Sequence, residues 1–435
     1  MSTDPAFTAL TRFGMGVSTD LMKDAAHDPK GWLSDQLTRR QPQMREFARL
    51  ASSDTVLRRL RDVKDPKQRK TLARSIYQAE AQARTAAAVS SPAPFVERLV
   101  RFWSNHLSVS VSRAYVVPLA GAFEREAIRP HIVGKYADML IAATKHPAML
   151  GYLDNRRSTG PDSPVGERTG AGENENLARE VLELHTLGAD AGYAQFDVQS
   201  LAAILTGWTV SAKTGTFQFA PKRHQPGAKV LLGHDIEAGL AGGEHALREL
   251  ARHHATARRI CHKLARHFIA DDPPPMVTEV LARLFLDTDG DLGAVTQALI
   301  MRPEPWSTPM AKVRTPDDLV VATARALGTE ALGPSGKDAP PVLLRSLRLL
   351  GQAPWAAPSP AGWPDRAEDW IAPDALMRRL EWASAVAERA GKSDRQPADW
   401  QILVGSDPGA LSVIEQAEAS ERLFLALASS GFQRR

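Results

Sequence analysis

Only one segment of this 435-residue chain, Thr209 to Ala220, alternates polar and apolar residues as a strand would. Lys213-Thr214-Gly215 supplies a turn at its middle, so the segment reads as a β-hairpin. Nearly everywhere else apolar residues recur at helical spacing. Phe95, Leu99, Phe102 and His106 fall at i, i+4, i+7 and i+11, with Val96, Val100, Trp103 and Leu107 beside them, which predicts a buried helix over 93–107. Asp65-Pro66 opens a long polar helix over 66–90 that is expected to stand partly proud of the body. Further helices are expected at about 119–130, 135–145, 146–153 and 193–208, and from Gly242 onward. Strand and helix patterns never alternate, which removes the doubly wound folds. The expected class is therefore all-α: an irregular multi-helix body with one small hairpin near 209–220 and long Gly/Pro-rich loops. Residues 1–435 read as a single large helical domain, with 1–155, 156–240 and 241–435 as the alternative subdivision.

Chemistry concentrates between Gly172 and Gly188. Pro164 and the glycines at 166, 170 and 172 are expected to end the preceding element, so that a helix begins near Glu173 and stops at Leu187-Gly188. Leu177, Val181 and Leu184 would form its apolar stripe, while Asn176, Arg179, Glu180 and Glu183 share a second face. An amide, a guanidinium and two carboxylates on one stripe can bind a polar substrate, supply a general acid and base, or hold a divalent cation. A plainer reading competes. Glu175, Arg179 and Glu183 form an i, i+4 ladder of alternating sign, as on a solvated helix face, and spacing alone favours that ladder.

Other segments carry paired readings as well. His106, next to Asn105 at the end of an apolar stripe, is either a satisfied core histidine, the commoner case, or a ligand or proton carrier. Asn155 to Gly172 is Gly/Pro/Ser-rich and marks a surface loop of the kind that often serves as a lid. The loop that follows the hairpin contains His224, Lys229 and His234. Arg252, Arg259, His262, Lys263, Arg266 and His267 decorate one side of a helix whose other side is Ala257, Ile260, Cys261, Leu264 and Phe268. Such a face can grip phosphates, but a solvated face is the default expectation. Asp287 to Asp291 lacks the spacing of a calcium loop and reads as a helix cap. Residues 314–351 predict two helices around a Gly/Pro-rich link. Gly351 to Trp370 either lines a groove or straps helices together, and 374–430 is again amphipathic helix.

Composition and absent motifs narrow the function classes. A net charge of +4 is mild for this length and argues poorly for nucleic acid. One cysteine, Cys261, excludes an internal disulfide framework and a multi-thiolate metal site, and its helical seam makes it an inert core residue. No signal peptide pattern or apolar run of membrane-spanning length is visible, which points to a cytoplasmic protein. There is no Walker A loop, GxGxxG after a strand, HExxH or GxSxG elbow.

Six blocks in order carry a further signal: RFGMG at 12–16, FWSNHLSVS at 102–110, NENLARE…ELHTLG at 174–188, LTGW at 205–208, the histidine-to-glycine run at 224–233, and GQAPW…PAGWPD at 351–365. Together they resemble the bacterial family catalogued as domain of unknown function 1800, over nearly the whole chain. The resemblance implies a neighbourhood with proteins similar to sulfatases and alkaline phosphatases, and many members look exported. His185 stands where the family more often has an aromatic residue, and Gln225 where an aspartate is expected.

Two classes of function follow. In the first, an enzyme, His106, Glu180, Glu183 and Arg179 form the catalytic set and Asn105, Asn176, Trp208 and Trp363 bind a polar, carbohydrate-like substrate. Glu180, Glu183 and His106 are then also the candidate ligands of a divalent metal cofactor. In the second, the chain is a helical scaffold or partner of a sulfatase- or phosphatase-like protein, and the charged helix is a structural network.

Overall fold

A computed structural model describes residues 4–38, 44–333, 341–392, 400–405 and 407–435. It is 64% helical with two small two-stranded sheets, a mainly α protein as expected. Six helices position the features discussed below: α1 (Pro66–Ser90), α2 (Pro94–His106), α3 (Asn176–Glu180, continued by a π turn over Val181–His185), α4 (His254–Phe268), α5 (Pro275–Asp287) and α6 (Pro316–Leu327).

Local chemistry explains where they start. The Asp65 carboxylate accepts the Lys67 and Gln68 amides and Pro66 occupies the first turn of α1. The first half of α1 is largely exposed and the second packs into the body through Ala81, Ala87 and Ala88. Thr315 and Pro316 open α6 in the same way, and Asp291 caps the helix after α5 as anticipated. α2 is buried along almost its whole length, and Phe95 meets Phe13 and Phe268 at 5.7 and 5.8 Å. One apolar core runs continuously from Ala9 to Phe432.

The expected hairpin is present as β1 (Trp208–Val210) and β2 (Phe217–Phe219), antiparallel with Trp208 opposite Phe219. A second hairpin, β3 (Lys229–Leu231) and β4 (His234–Ile236), lies in the segment read as a loop. Its two-residue turn, Leu232-Gly233, has both φ values positive, the geometry that matches strand twist. Three-residue strands are too short for alternation to register. A second correction concerns 155–172. Pro164 starts a short helix, Pro164–Thr169, capped by Ser163 and ended by Gly170 at φ +67°, so a proline read as a breaker acts as a first-turn residue. Two expected features, the link between the 314–351 helices and part of the C-terminal helix, fall on 334–340 and 393–399, outside the described residues.

The third correction concerns α3. It begins at Asn176 rather than Glu173, because the Asn174 side chain accepts the Asn176 amide just ahead of it. The π turn then moves the buried face. Leu184, expected in the core stripe, is half-buried, while Leu182 and His185 are fully buried beside Leu177 and Val181.

Candidate functional site

Between α2, α4, α6 and the Gly351–Trp370 strap lies a cleft of about 900 Å³. The strap is anchored first by its backbone. Trp355 accepts the Val111 amide at 2.8 Å, and the Ser110 hydroxyl donates to the Ala357 carbonyl at 2.7 Å. Asn105 completes the attachment, donating to the Trp363 carbonyl at 2.9 Å and accepting the Trp363 amide at 2.7 Å. Gly362 sits at φ +86° against Asn105, and a β-carbon there would fall 2.4 Å from the Asn105 carbonyl. Both readings of this segment hold together: Trp355 is buried as a strap, and half-buried Trp363 lines the groove.

The lining carries nine Arg or Lys side chains against four Asp, so the cleft is strongly cationic. Its floor is internally neutralised. Arg84 pairs with Glu124 at 2.8 Å, Arg101 with Asp317 at 2.6 Å, and Asp318 takes both Arg98 and Arg435 at 2.9 Å. Burial alone would raise the Asp318 carboxyl, but Arg98 and Arg435 hold it well below the usual carboxylate range.

The α4 wall is different. Arg266 contacts His262 at 2.9 Å and lies 3.7 Å from Asp365. Arg259 and Lys263, one turn apart on the same face, make no ion pair or hydrogen bond among the described residues, and the Arg259 Nε is buried without a partner. Burial, then the charge of Arg259, push the Lys263 amine down to about 8. The basic helix, expected to face solvent, is therefore a cleft wall, and Arg252, read as part of it, instead ends the preceding helix and pairs with Asp289 at 2.6 Å. A usable signal was in the sequence, since α4 contains no Asp or Glu to neutralise it along its own face.

His106 ends α2 at the cleft and is 2% exposed. Its Nε2 lies 3.1 Å from both the Tyr136 hydroxyl and the His185 carbonyl, and the Tyr136 hydroxyl donates to that same carbonyl. A carbonyl can only accept, so it favours the proton on Nε2. That leaves the lone pair on Nδ1, which is buried without a partner. Burial, with the charges of Lys263, His185 and Arg259 behind it, holds the imidazole well below its ordinary range, so it is neutral at pH 7. His185 is likewise pushed down to about 3, first by burial and then by Lys263 and Arg259.

Of the sequence candidates, Asn105, His106 and Trp363 come together in this cleft, and the others lie elsewhere. Asn176 is exposed; Arg179 pairs with Glu175 at 2.8 Å and meets Gln195 at 3.0 Å, which is one rung of the solvated ladder that spacing favoured. Glu180 and Glu183 are half-buried outside the cleft lining, and burial followed by Glu183 raises the Glu180 carboxyl. Trp208, expected to bind substrate, opens the hairpin and is fully buried against Phe217, with Lys145 Nζ 5.6 Å from its ring. His224 is also structural, its Nδ1 3.0 Å from the Thr206 carbonyl and its Nε2 accepting the Gly239 amide. Among the described residues no three His, Cys, Asp or Glu side chains are grouped to hold a metal ion, so the set Glu180, Glu183 and His106 is not assembled. Cys261 is buried and its thiol is raised by burial, an inert core residue. No helix among the described residues is long and apolar enough to cross a membrane.

With this geometry in place, the comparison with known families is direct. The chain belongs to the family described as protein of unknown function (DUF1800), whose model matches residues 8–434. No curated protein and no solved structure matches it.

Proposed function

We propose that this member of the DUF1800 family is an enzyme that draws a polar, multiply charged anion into the cleft, with His106 as the proton acceptor. The observation that carries the reading is the pair Arg259 and Lys263, cleft-lining cations that make no ion pair or hydrogen bond among the described residues. Half-buried cations persist unpaired at a cost, and a bound anion removes that cost. The volume of about 900 Å³ accepts more than a single inorganic ion, and Trp363 offers a flat apolar surface beside the charges. A phosphorylated or sulfated carbohydrate-like compound has both properties. The resemblance to a family found near sulfatase- and phosphatase-like proteins is in keeping with that chemistry.

His106 fits the part of base because its Nδ1 carries a lone pair with no protein partner. Burial, and behind it the charges of Lys263, His185 and Arg259, hold its basicity down. An anion that offsets those charges raises it toward the working range of a general base. Burial lowers the Arg259 guanidinium from its ordinary value, and the helix 176–185 acts from outside the cleft by opposing that shift, its Glu183 charge adding to that of Tyr136.

Thermal unfolding at constant ionic strength tests the reading. Phosphate or sulfate should stabilise the wild type relative to chloride, and Arg259→Met/Lys263→Met should lose that response. Equal melting temperatures in all three anions would sink it. The scaffold reading keeps one observation in its favour, the fully paired cation network of the floor. It would gain if a phosphatase-like protein bound the double variant as tightly as the wild type.

A further inference from the structure

We infer that Lys263 is an imine-forming amine, condensing with the carbonyl group of an anionic aldehyde or ketone whose charged end is held by Arg259 and Arg266. The inference rests on the anion-binding reading and adds a covalent step to it.

The first argument is position. Lys263 lines the cleft, is half-buried, and makes no ion pair or hydrogen bond among the described residues. The other cleft lysine, Lys312, is engaged: it pairs with Asp271 and donates to the Asp365 carbonyl at 2.7 Å. A lysine meant only as a point charge would be served by such a carboxylate contact.

The second argument is the company it keeps. On its own helix stand Arg259, His262 and Arg266; His106 on α2 and His185 at the end of α3 feel its charge; and Asp365 of the strap, the acid that opposes these cations, makes no ion pair with it. Burial and adjacent cations penalise the ammonium form and so favour the free amine, the arrangement that activates lysine for attack on carbonyls. With the amine down to about 8, roughly a tenth is neutral at pH 7, against less than about a thousandth for an ordinary lysine.

The step balances without an oxidant or reductant. Nζ attacks the carbonyl carbon to give a carbinolamine, a proton passes from nitrogen to oxygen, and water leaves as the C=N bond forms. The unpartnered Nδ1 of His106 suits it to carry that proton.

The test uses pyridoxal 5′-phosphate, an aldehyde with a phosphate, as the probe. The folded protein is incubated with it, reduced with borohydride and mapped by peptide mass spectrometry. The expected result is one adduct per chain at Lys263, rising with pH through about 8 and falling tenfold or more with excess inorganic phosphate. Lys263→Arg should keep the phosphate-induced rise in melting temperature and lose the adduct, which separates the amine's chemistry from its charge. Adducts spread over surface lysines without enrichment at Lys263, while phosphate still stabilises the protein, would overturn the imine and leave the anion reading standing. No stabilisation by phosphate together with no adduct at Lys263 would overturn both.

Discussion

The floor and the α4 wall of the cleft are built from the same residue types and serve opposite ends. On the floor each arginine faces a carboxylate: Arg84 with Glu124, Arg101 with Asp317, Arg98 and Arg435 with Asp318. On the wall, Arg259 and Lys263 line the cleft with no ion pair among the described residues. A buried charge with a partner ties elements together, here α2 to α6, whereas a buried charge without one is a standing cost that only a ligand relieves. Pairing, rather than charge density, separates the structural half of this basic surface from the half available for binding.

The largest expected effect tests the floor. Asp318→Asn leaves Arg98 and Arg435 buried without a counter-charge and should cost about 3–5 kcal/mol in urea unfolding. A loss below about 1 kcal/mol would erase the distinction. The same carboxylate gives the floor an acid limit. Its folded pKa is depressed, so its contribution is complete above the ordinary carboxylate range and drains away as pH falls below about 4 toward the folded value. On the wall, phosphate at a hundred times its dissociation constant should add about 2.7 kcal/mol to wild-type stability and nothing to Arg259→Met/Lys263→Met. Between the two regions, Asn105→Ala removes both hydrogen bonds to Trp363 and should cost about 1–2 kcal/mol, with phosphate binding weakened as the strap loosens. The smallest effect has the opposite sign: Lys263→Met should stabilise the phosphate-free protein by about 1 kcal/mol or less at pH 7, after solvent screening. Below about 8 the native lysine is buried charged. Between about 8 and the ordinary lysine range it sheds its proton before the unfolded chain does, so wild-type stability rises and the variant's advantage fades. An advantage that stays constant to pH 10 would mean Lys263 is not penalised in the fold.

Helical periodicity made the scaffold legible: α1, α2 and the β1–β2 hairpin lie where spacing and turn residues put them. The site was legible in part. Asn105, His106 and Trp363 were singled out and do share the cleft, whereas Trp208 is a core residue that opens the hairpin. The carboxylates of 176–183 drew attention by density, yet their alternating sign already described a face able to neutralise itself. α4 drew less attention although its face lacks any acid. The floor could not be read at all, because its partners lie far apart in sequence, as Arg98 and Asp318 do, and no local pattern joins them.

The π turn at Val181–His185 has a consequence for inheritance. The carbonyl that favours the proton on Nε2 of His106 belongs to the last residue of that turn, and an i→i+5 turn exists because one more residue is present than a regular helix would hold. Loss of a single codon there would close the turn to α-helical spacing and swing the carbonyl by about 100°. His106 and Tyr136 would survive intact while the imidazole lost the acceptor on its Nε2. The chemistry of this histidine is therefore recorded in a length of chain, and a lineage can abandon or regain it without exchanging one amino acid of the cleft.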